Sequence, residues 1–372
     1  MNSRKIHIVS FDVPYPADYG GVIDVYYRIK ALNQLGFKII LHCFKSDRKE
    51  QRHLNSLTEE VYYYDRNKSI WNLLRKKPFI VVSRRSKLLL SRLLKDDSPI
   101  LFEGIHSTFF LSHPSLENRF KYVRTHNVEY EYYTTLSKNS TILKSLFFKI
   151  EALKLKHYES ILGKANLILS IKDSDIEYFK LFNANVQILP ASIPEIKHLT
   201  YTETEPYALY TGDLSISENE KSVLWIIKKI WIKDNTLMPL IIAGKNPTDK
   251  LKKVANLYGV KLISNPSKES NEILLHNARV HILVSNNSVG IKLKLLMALQ
   301  TSGYILVNNK MVVGTNLSDL CKICNSPDEF IYELKLIKSN LLKKTDYCTR
   351  LNFLSSNYSA LINCEVFLRH II

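Results

Sequence analysis

No stretch of the chain approaches the ~18 to 20 uncharged apolar residues that a membrane-spanning helix requires, so no spanning helix is expected. The opening MNSRKIHIVSF passes from basic side chains straight into a strand-like pattern, with no cleavable apolar segment, so the chain is expected in the cytoplasm, with at most a peripheral place at the inner face of the plasma membrane. Cysteine is scarce. The five present include one CxxC, Cys321 and Cys324, and no second pair or nearby histidine cluster completes the four ligands of a structural zinc site. No GxGxxG follows any apolar run, which excludes the dinucleotide fingerprint, and no nucleic-acid-binding motif is present.

Acidic residues are in deficit: 35 Asp and Glu stand against 52 Lys and Arg, a formal charge of +17. The imbalance peaks over residues 66–95, RNKSIWNLLRKKPFIVVSRRSKLLLSRLLK, which holds ten basic residues and no acid. Trp71, Leu73, Leu74, Phe79, Ile80 and Leu88–Leu90 interleave with the charges. That mixture suits the surface of an anionic bilayer. A solvated basic face is the plainer alternative, and nucleic acid is disfavoured because the interleaved residues are mostly aliphatic rather than stacking aromatics.

What the chain does contain is bulk and rhythm. Its 372 residues exceed one ordinary core, which predicts two domains, and 45% hydrophobic content excludes disorder. Short apolar runs alternate with helical patterns, the signature of β-α-β units on parallel sheets. Strands are expected at Lys5–Phe11, Lys38–Phe44, Val61–Tyr64, Pro99–Glu103, Lys121–Thr125, Leu167–Ile171 and Val186–Leu189. A second set is expected at Tyr207–Thr211, Pro239–Ala243, Val260–Ile263, Val280–Val284 and Ile305–Asn308. The proline-rich LPASIPEIKHLTYTETEPY breaks the rhythm, giving domains at 1–192 and 207–350, a linker at 193–206, and a closing helical segment at 351–372 that returns to the first domain. The expected fold class is α/β, with two doubly wound Rossmann-like domains facing a central cleft, where the carboxyl ends of open sheets bind ligands.

The loops after the strands are therefore the place to look for chemistry. Gly20 and Gly21 precede a helix with apolar positions Val22, Val25, Ile29, Leu32 and Leu35. A diglycine before a helix N-terminus admits a phosphate or serves as a tight turn. Glu103, His106 and His126 end neighbouring strands, where carboxylate and imidazole can exchange protons or hydrogen bonds with a hydroxyl. In the second half Gly212 and Gly244 end strands, Lys245 adds a cation, and Lys292 and Lys294 stand where a helix begins. Residues two apart do not share a helix face, so the two lysines converge only if the chain is still turning there; otherwise one snorkels to water. Ser217-Glu218-Asn219-Glu220 reads as a capping box. Asp173-Ser174-Asp175 reads as a helix cap rather than a metal motif.

Taken in order, YPADYGGVIDVYY, ILFEGIHST, VRTHNVEYEYY, YTGDLSISEN, NSVGIKLKLLMAL and GYILVNNKMVVGT resemble the retaining glycosyltransferases of GT-B fold, family 4, in a bacterial mannosyltransferase-like branch. The resemblance implies a nucleotide-diphospho-sugar (UDP- or GDP-linked hexose) donor in the C-terminal domain and a glycan or lipid-linked glycan acceptor on the N-terminal domain, with no cofactor and no metal. It matches His126 to the family's histidine near the donor sugar; Glu103 and His106, at the same end of the sheet, join it as the catalytic candidates. It matches Gly20 and Gly21 to the diphosphate-approaching glycine loop, Gly212 to the glycine beside the donor, and Lys292 and Lys294 to the segment before the last donor-binding helix; Asn127, Lys245 and Gly290 complete the candidate donor-binding set. Two departures stand out. The family's Glu pair reads Val289 and Met297 here, and the arginine usual after the glycine of YTGDL is Asp213. These fit either a divergent transferase or a GT-B protein that binds sugar nucleotide, or partners another transferase, without transfer.

Overall fold

A computed structural model describes residues 4–18, 20–138, 140–194, 200–288, 290 and 292–369. They form two compact units: one runs to Pro194 and also takes in Gly290 and the chain from Asn357 on, the other comprises the rest.

The first unit is built on strands β1 (Lys5–Ser10), β2 (Lys38–Lys45), β3 (Glu60–Asp65), β4 (Ile100–Glu103), β5 (Lys121–Thr125), β6 (Leu167–Ser170) and β7 (Val186–Ile188). All pair in parallel, in the order β3-β2-β1-β4-β5-β6-β7. Strands in a parallel sheet are covered by helices on both faces, so they read as continuous apolar runs; β4 and β6 are buried at every residue. The helix Gly20–Gln34 covers one face, burying Val25, Ile29 and Leu32 against Ile6, Ile8 and Leu41. The helix Ala360–Leu368 closes the same core through Cys364 and Phe367, the latter edge-on to Tyr122.

The second unit carries β8 (Glu205–Asp213), β9 (Leu240–Lys245), β10 (Lys261–Ser264), β11 (Ala278–Leu283), β12 (Tyr304–Val307) and β13 (Lys322–Ile323), in the order β10-β9-β8-β11-β12-β13. Both sheets reverse strand order next to their first strand, between β1 and β4 and between β8 and β11. In a doubly wound sheet that switch point is where the loops part to make a crevice.

The twelve expected strands all form, each within two residues of its expected ends. β13 was not expected, because two residues carry no periodicity. It lies between the two cysteines of the CxxC, and the Cys324 N–H donates to Val307 O at 2.7 Å. β8 begins at Glu205, inside the segment expected as linker.

Three local expectations need correction. Ser217 is the first residue of the helix Ser217–Lys229 rather than its cap, and the residue before it, Ile216, makes no side-chain capping bond. Glu220 instead accepts from Thr248 Oγ1. Asp175 precedes the helix Ile176–Lys180 without a side-chain cap either. The basic segment 66–95 is not one interfacial stretch: Val81, Leu89 and Leu93 enter the core, and Arg84 is buried, donating to Phe11 O and Ile80 O. Short-range spacing did not reveal which aliphatics the sheet would claim.

Candidate functional site

In the first unit, β1, β4 and β5 and the helix Gly20–Gln34 bring charged side chains together beneath the switch point. Asp24 and Arg28 lie four apart on the helix face that also buries Val25 and Ile29, so they are carried into the core with it. Arg28 Nη2 pairs with Asp24 Oδ2, and Arg28 Nε donates to Glu103 Oε1 at 2.8 Å. Arg124, near the carboxyl end of β5, donates to Asp24 Oδ2 at 3.2 Å and to the carbonyls of Leu189 and Pro190. The Ser192 N–H donates to Asp24 Oδ1 at 2.6 Å. All four charged side chains are at most 1% exposed. Two carboxylates balance two guanidiniums, and without that balance burial would be prohibitive.

His126 follows β5 and rests on this cluster, its Nε2 at 3.4 Å from Glu103 Oε2 and its Nδ1 at 4.0 Å from Asp24 Oδ2. Burial pushes the Glu103 carboxyl up, but Arg28 and His126 outweigh it and hold it below its ordinary value. Asp24 is likewise held down, by Arg124 and Arg28 against its burial. His106 lies on the turn after β4. Burial, with Arg84 and His126 nearby, drives its imidazole well below the usual range, so it is neutral. Phe11 sits against both rings, centroids 5.4 Å from His106 and 5.5 Å from His126.

The glycines have packing reasons. A Cβ on Gly21 would meet Phe11 Cζ at 2.7 Å, and one on Gly104, at φ 71°, would meet His106 Nδ1 at 2.8 Å. Gly20 begins the helix and is exposed. Asn127 donates to Glu129 Oε1 at 3.2 Å. Gly290, at φ 67°, leaves no room for a Cβ beside Asn127 Oδ1.

The ligand atoms of Asp24, Glu103 and His126 lie within 4.8 Å of one another, a spacing that would admit a cation. Asp24 Oδ2 already serves two guanidiniums and Glu103 Oε1 one, so a divalent ion would enter against two fixed positive charges. The set suits an oriented imidazole better than a metal.

In the second unit, the loops after β8 and β11 meet the first turn of the helix Ser217–Lys229. Glu218 accepts from Ser285 Oγ at 2.6 Å and from Asn287 Nδ2 at 2.7 Å, and Lys292 Nζ reaches it at 3.4 Å. Lys292 also donates to Asn287 Oδ1 at 2.9 Å. Lys294 Nζ turns inward, donating to Tyr210 OH at 2.9 Å and Asn219 Oδ1 at 3.0 Å over the Tyr210 ring. Lys292 precedes the helix Leu293–Ala298 in an extended conformation, whereas Lys294 is within it. That change of backbone lets the two ammonium groups reach adjacent residues, Glu218 and Asn219. Burial pushes the Lys294 ammonium down to about 8. The Glu218 carboxyl is raised by burial but lowered more by Lys292 and its hydrogen bonds, and ends below its ordinary value.

Gly212, the residue before the last of β8, faces Asn219, whose Nδ2 would lie 3.3 Å from a Cβ there. Gly244 has a different reason to lack a side chain: a Cβ would collide with Gly212 O, so it serves strand packing. Lys245 is exposed at the end of β9, opposite Asp213 in the register. Asp213 accepts from the N–H and hydroxyl of Ser215. Val289 lies outside the described residues, and Met297 is half-buried with its sulfur 3.8 Å from Gln300 Nε2.

Comparison with solved structures places this architecture. A TarM variant of S. aureus, solved with fondaparinux, α-GlcNAc-glycerol and UDP, superimposes with a TM-score of 0.68 over 99% of both chains at 11% identity. HepE of Anabaena, solved with UDP and glucose, gives 0.66 over 98% of both chains at 9% identity. A glycosyltransferase of Rickettsia africae gives 0.65 over all of this chain and 98% of its own at 14% identity. The fold is GT-B. No family model matches the chain. A Klebsiella pneumoniae protein described as an uncharacterized 44.6 kDa protein in the cps region is 27% identical over 357 residues, 90% of each chain. Within the GT-B frame, Asp24, Arg28, Arg124, Glu218, Asn219 and Asn287 join the residues expected from sequence. Two of them had a visible signal: Asp24 and Arg28 are charges on a helical stripe that is otherwise apolar.

Proposed function

We propose that the chain transfers a hexose from a nucleotide-diphospho-sugar to a glycan, lipid-linked at the inner leaflet, with retention of configuration and without a bound metal, in the cytoplasm. The observation that carries this reading is the convergence of Lys292 and Lys294 on the first turn of the helix Ser217–Lys229, beside Gly212 at the second sheet's switch point. Two ammonium groups beside a helix N-terminus can stabilise charge developing on a departing diphosphate, and fixed donors of this kind need no reorganisation during the reaction. The donor displaces Glu218 from Lys292 as it binds. In the first unit His126, oriented by Glu103 and Asp24, offers a hydrogen bond to a sugar hydroxyl. GT-B neighbours solved with UDP support a nucleotide-sugar ligand.

A second reading, donor binding without transfer, is favoured by the Glu218–Lys292 pair together with Met297 where the family has a carboxylate. Titration calorimetry with UDP- and GDP-linked hexoses separates the two. Saturable binding with slow donor hydrolysis, abolished in His126→Ala and unaffected by EDTA, supports transfer; binding with no turnover supports the second reading. Absence of binding to every donor refutes both.

A further inference from the structure

We propose that the first unit carries a docking face for an anionic phospholipid bilayer, formed by the helix Ile142–Tyr158 together with the turn Ile70–Leu74. The helix is apolar on two sides. Its inner side, Phe148, Ala152 and Leu155, packs on Ile80, Val81, Ile105 and Tyr133. Its outer side presents Ile142, Leu143, Leu146, Ile150 and Leu153, from 46% to 89% exposed. The spacing of three and four places them in one stripe. A helix apolar all round is normally enclosed, and no element among the described residues covers this side.

The turn adds Ile70, Trp71 and Leu74, 71%, 72% and 78% exposed. It lies against the helix: Lys154 Nζ donates to Leu73 O at 2.7 Å, and the Phe79 N–H donates to Glu151 Oε2. These two hydrogen bonds tie the turn and the chain that follows it to the helix, so both apolar groups belong to one side of the same unit.

Charge selects the occupant. Lys144 and Lys149 are exposed on the helix, and Arg75 and Lys76 are exposed directly after the turn. The one acid of either, Glu151, is buried and satisfied by Lys154 and Phe79. A second copy docking through the same face would set cation against cation. A nucleic acid would find aliphatics and a single aromatic rather than a stacking platform. Anionic headgroups meet the cations, while the aliphatic side chains and Trp71 enter the acyl boundary. The face differs from the basic segment expected from sequence: it omits the buried part of 66–95 and adds a helix some fifty residues further along.

The test needs no donor and stands whether or not the transfer reading does. The full chain is sedimented with sucrose-loaded vesicles, either phosphatidylglycerol–phosphatidylethanolamine or phosphatidylcholine alone, at low salt. Binding is expected only to the anionic vesicles, with a blue shift of Trp71 emission that is lost in Trp71→Phe. Each cation near such a surface is worth about fivefold in affinity, so Arg75→Gln/Lys76→Gln should weaken binding roughly twentyfold. Leu143→Ser/Leu146→Ser/Leu153→Ser should weaken it at least tenfold. Lys228→Gln/Lys229→Gln, exposed in the second unit, should change nothing. All these positions are exposed, and an unchanged melting temperature confirms that each variant folds. Absence of sedimentation, equal loss in all variants, an unaffected triple-Ser variant, or a wild-type dimer that the triple-Ser variant abolishes would each overturn the proposal.

Discussion

Arg28 offers the sharpest test of the buried charge cluster. Replacing it with Met keeps most of the volume but leaves Asp24 with Arg124 and Glu103 with the His126 imidazole alone. Removing one partner from a buried ion pair costs about 3–5 kcal/mol, because the other charge is stranded. With a urea slope of about 2–3 kcal/mol per molar, the midpoint should fall by about 1–2.5 M. The pH dependence has a definite sign. In the native chain both carboxyls are held below their ordinary values, so their contribution is complete above about pH 4.5 and is lost as pH falls through the native values. Without Arg28, burial dominates at Glu103 and its native value rises. The folded variant then holds that proton at higher pH than its unfolded chain, and its deficit relative to wild type should shrink from pH 7 to pH 5. Adding Glu103→Gln should recover at least half of the loss. A midpoint within 0.3 M of wild type, or a deficit that grows on acidification, would refute the cluster as described.

Other consequences are open to measurement. Glu129 is buried and its carboxyl is pushed up to about 7; the ordinary value is 4.5, so ionising it costs stability, and Glu129→Gln should gain about 2–3 kcal/mol on wild type between pH 5 and pH 8, read from urea midpoints. Lys294, pushed down to about 8, loses its charge early. Donor affinity by calorimetry should therefore fall between pH 7 and pH 9, and Lys294→Met should be weaker and flat over that range. Folding stability shows the opposite trend for this group, rising from pH 8, because the unfolded chain still binds the proton there. Gly21→Val should displace the Phe11 ring from His106 and His126, lowering donor turnover at least tenfold while far-UV ellipticity is retained; an unchanged rate would dissociate that contact from function.

Sequence alone determined the α/β class, the strands and the loops that face the switch points. Parallel strands buried on both faces must be apolar throughout, and helices must repeat near 3.6, so both periods are written locally. Lys292 and Lys294 were visible as charges at the mouth of an apolar run. Their partners were not, because Glu218 and Asn219 lie more than seventy residues away and look like an ordinary acidic first turn.

Only the tertiary structure decided which side chains share a charge. Asp24 and Arg124 stand a hundred residues apart, yet they meet under β4 and β5, and nothing in local spacing encodes that meeting. The same holds for the aliphatics: Val81 and Leu153 are alike in sequence, but one is buried and the other exposed. Burial is a property of what packs from elsewhere in the chain, whereas periodicity is a property of the segment itself. That physical difference separates what could be read from the residues from what the fold had to reveal.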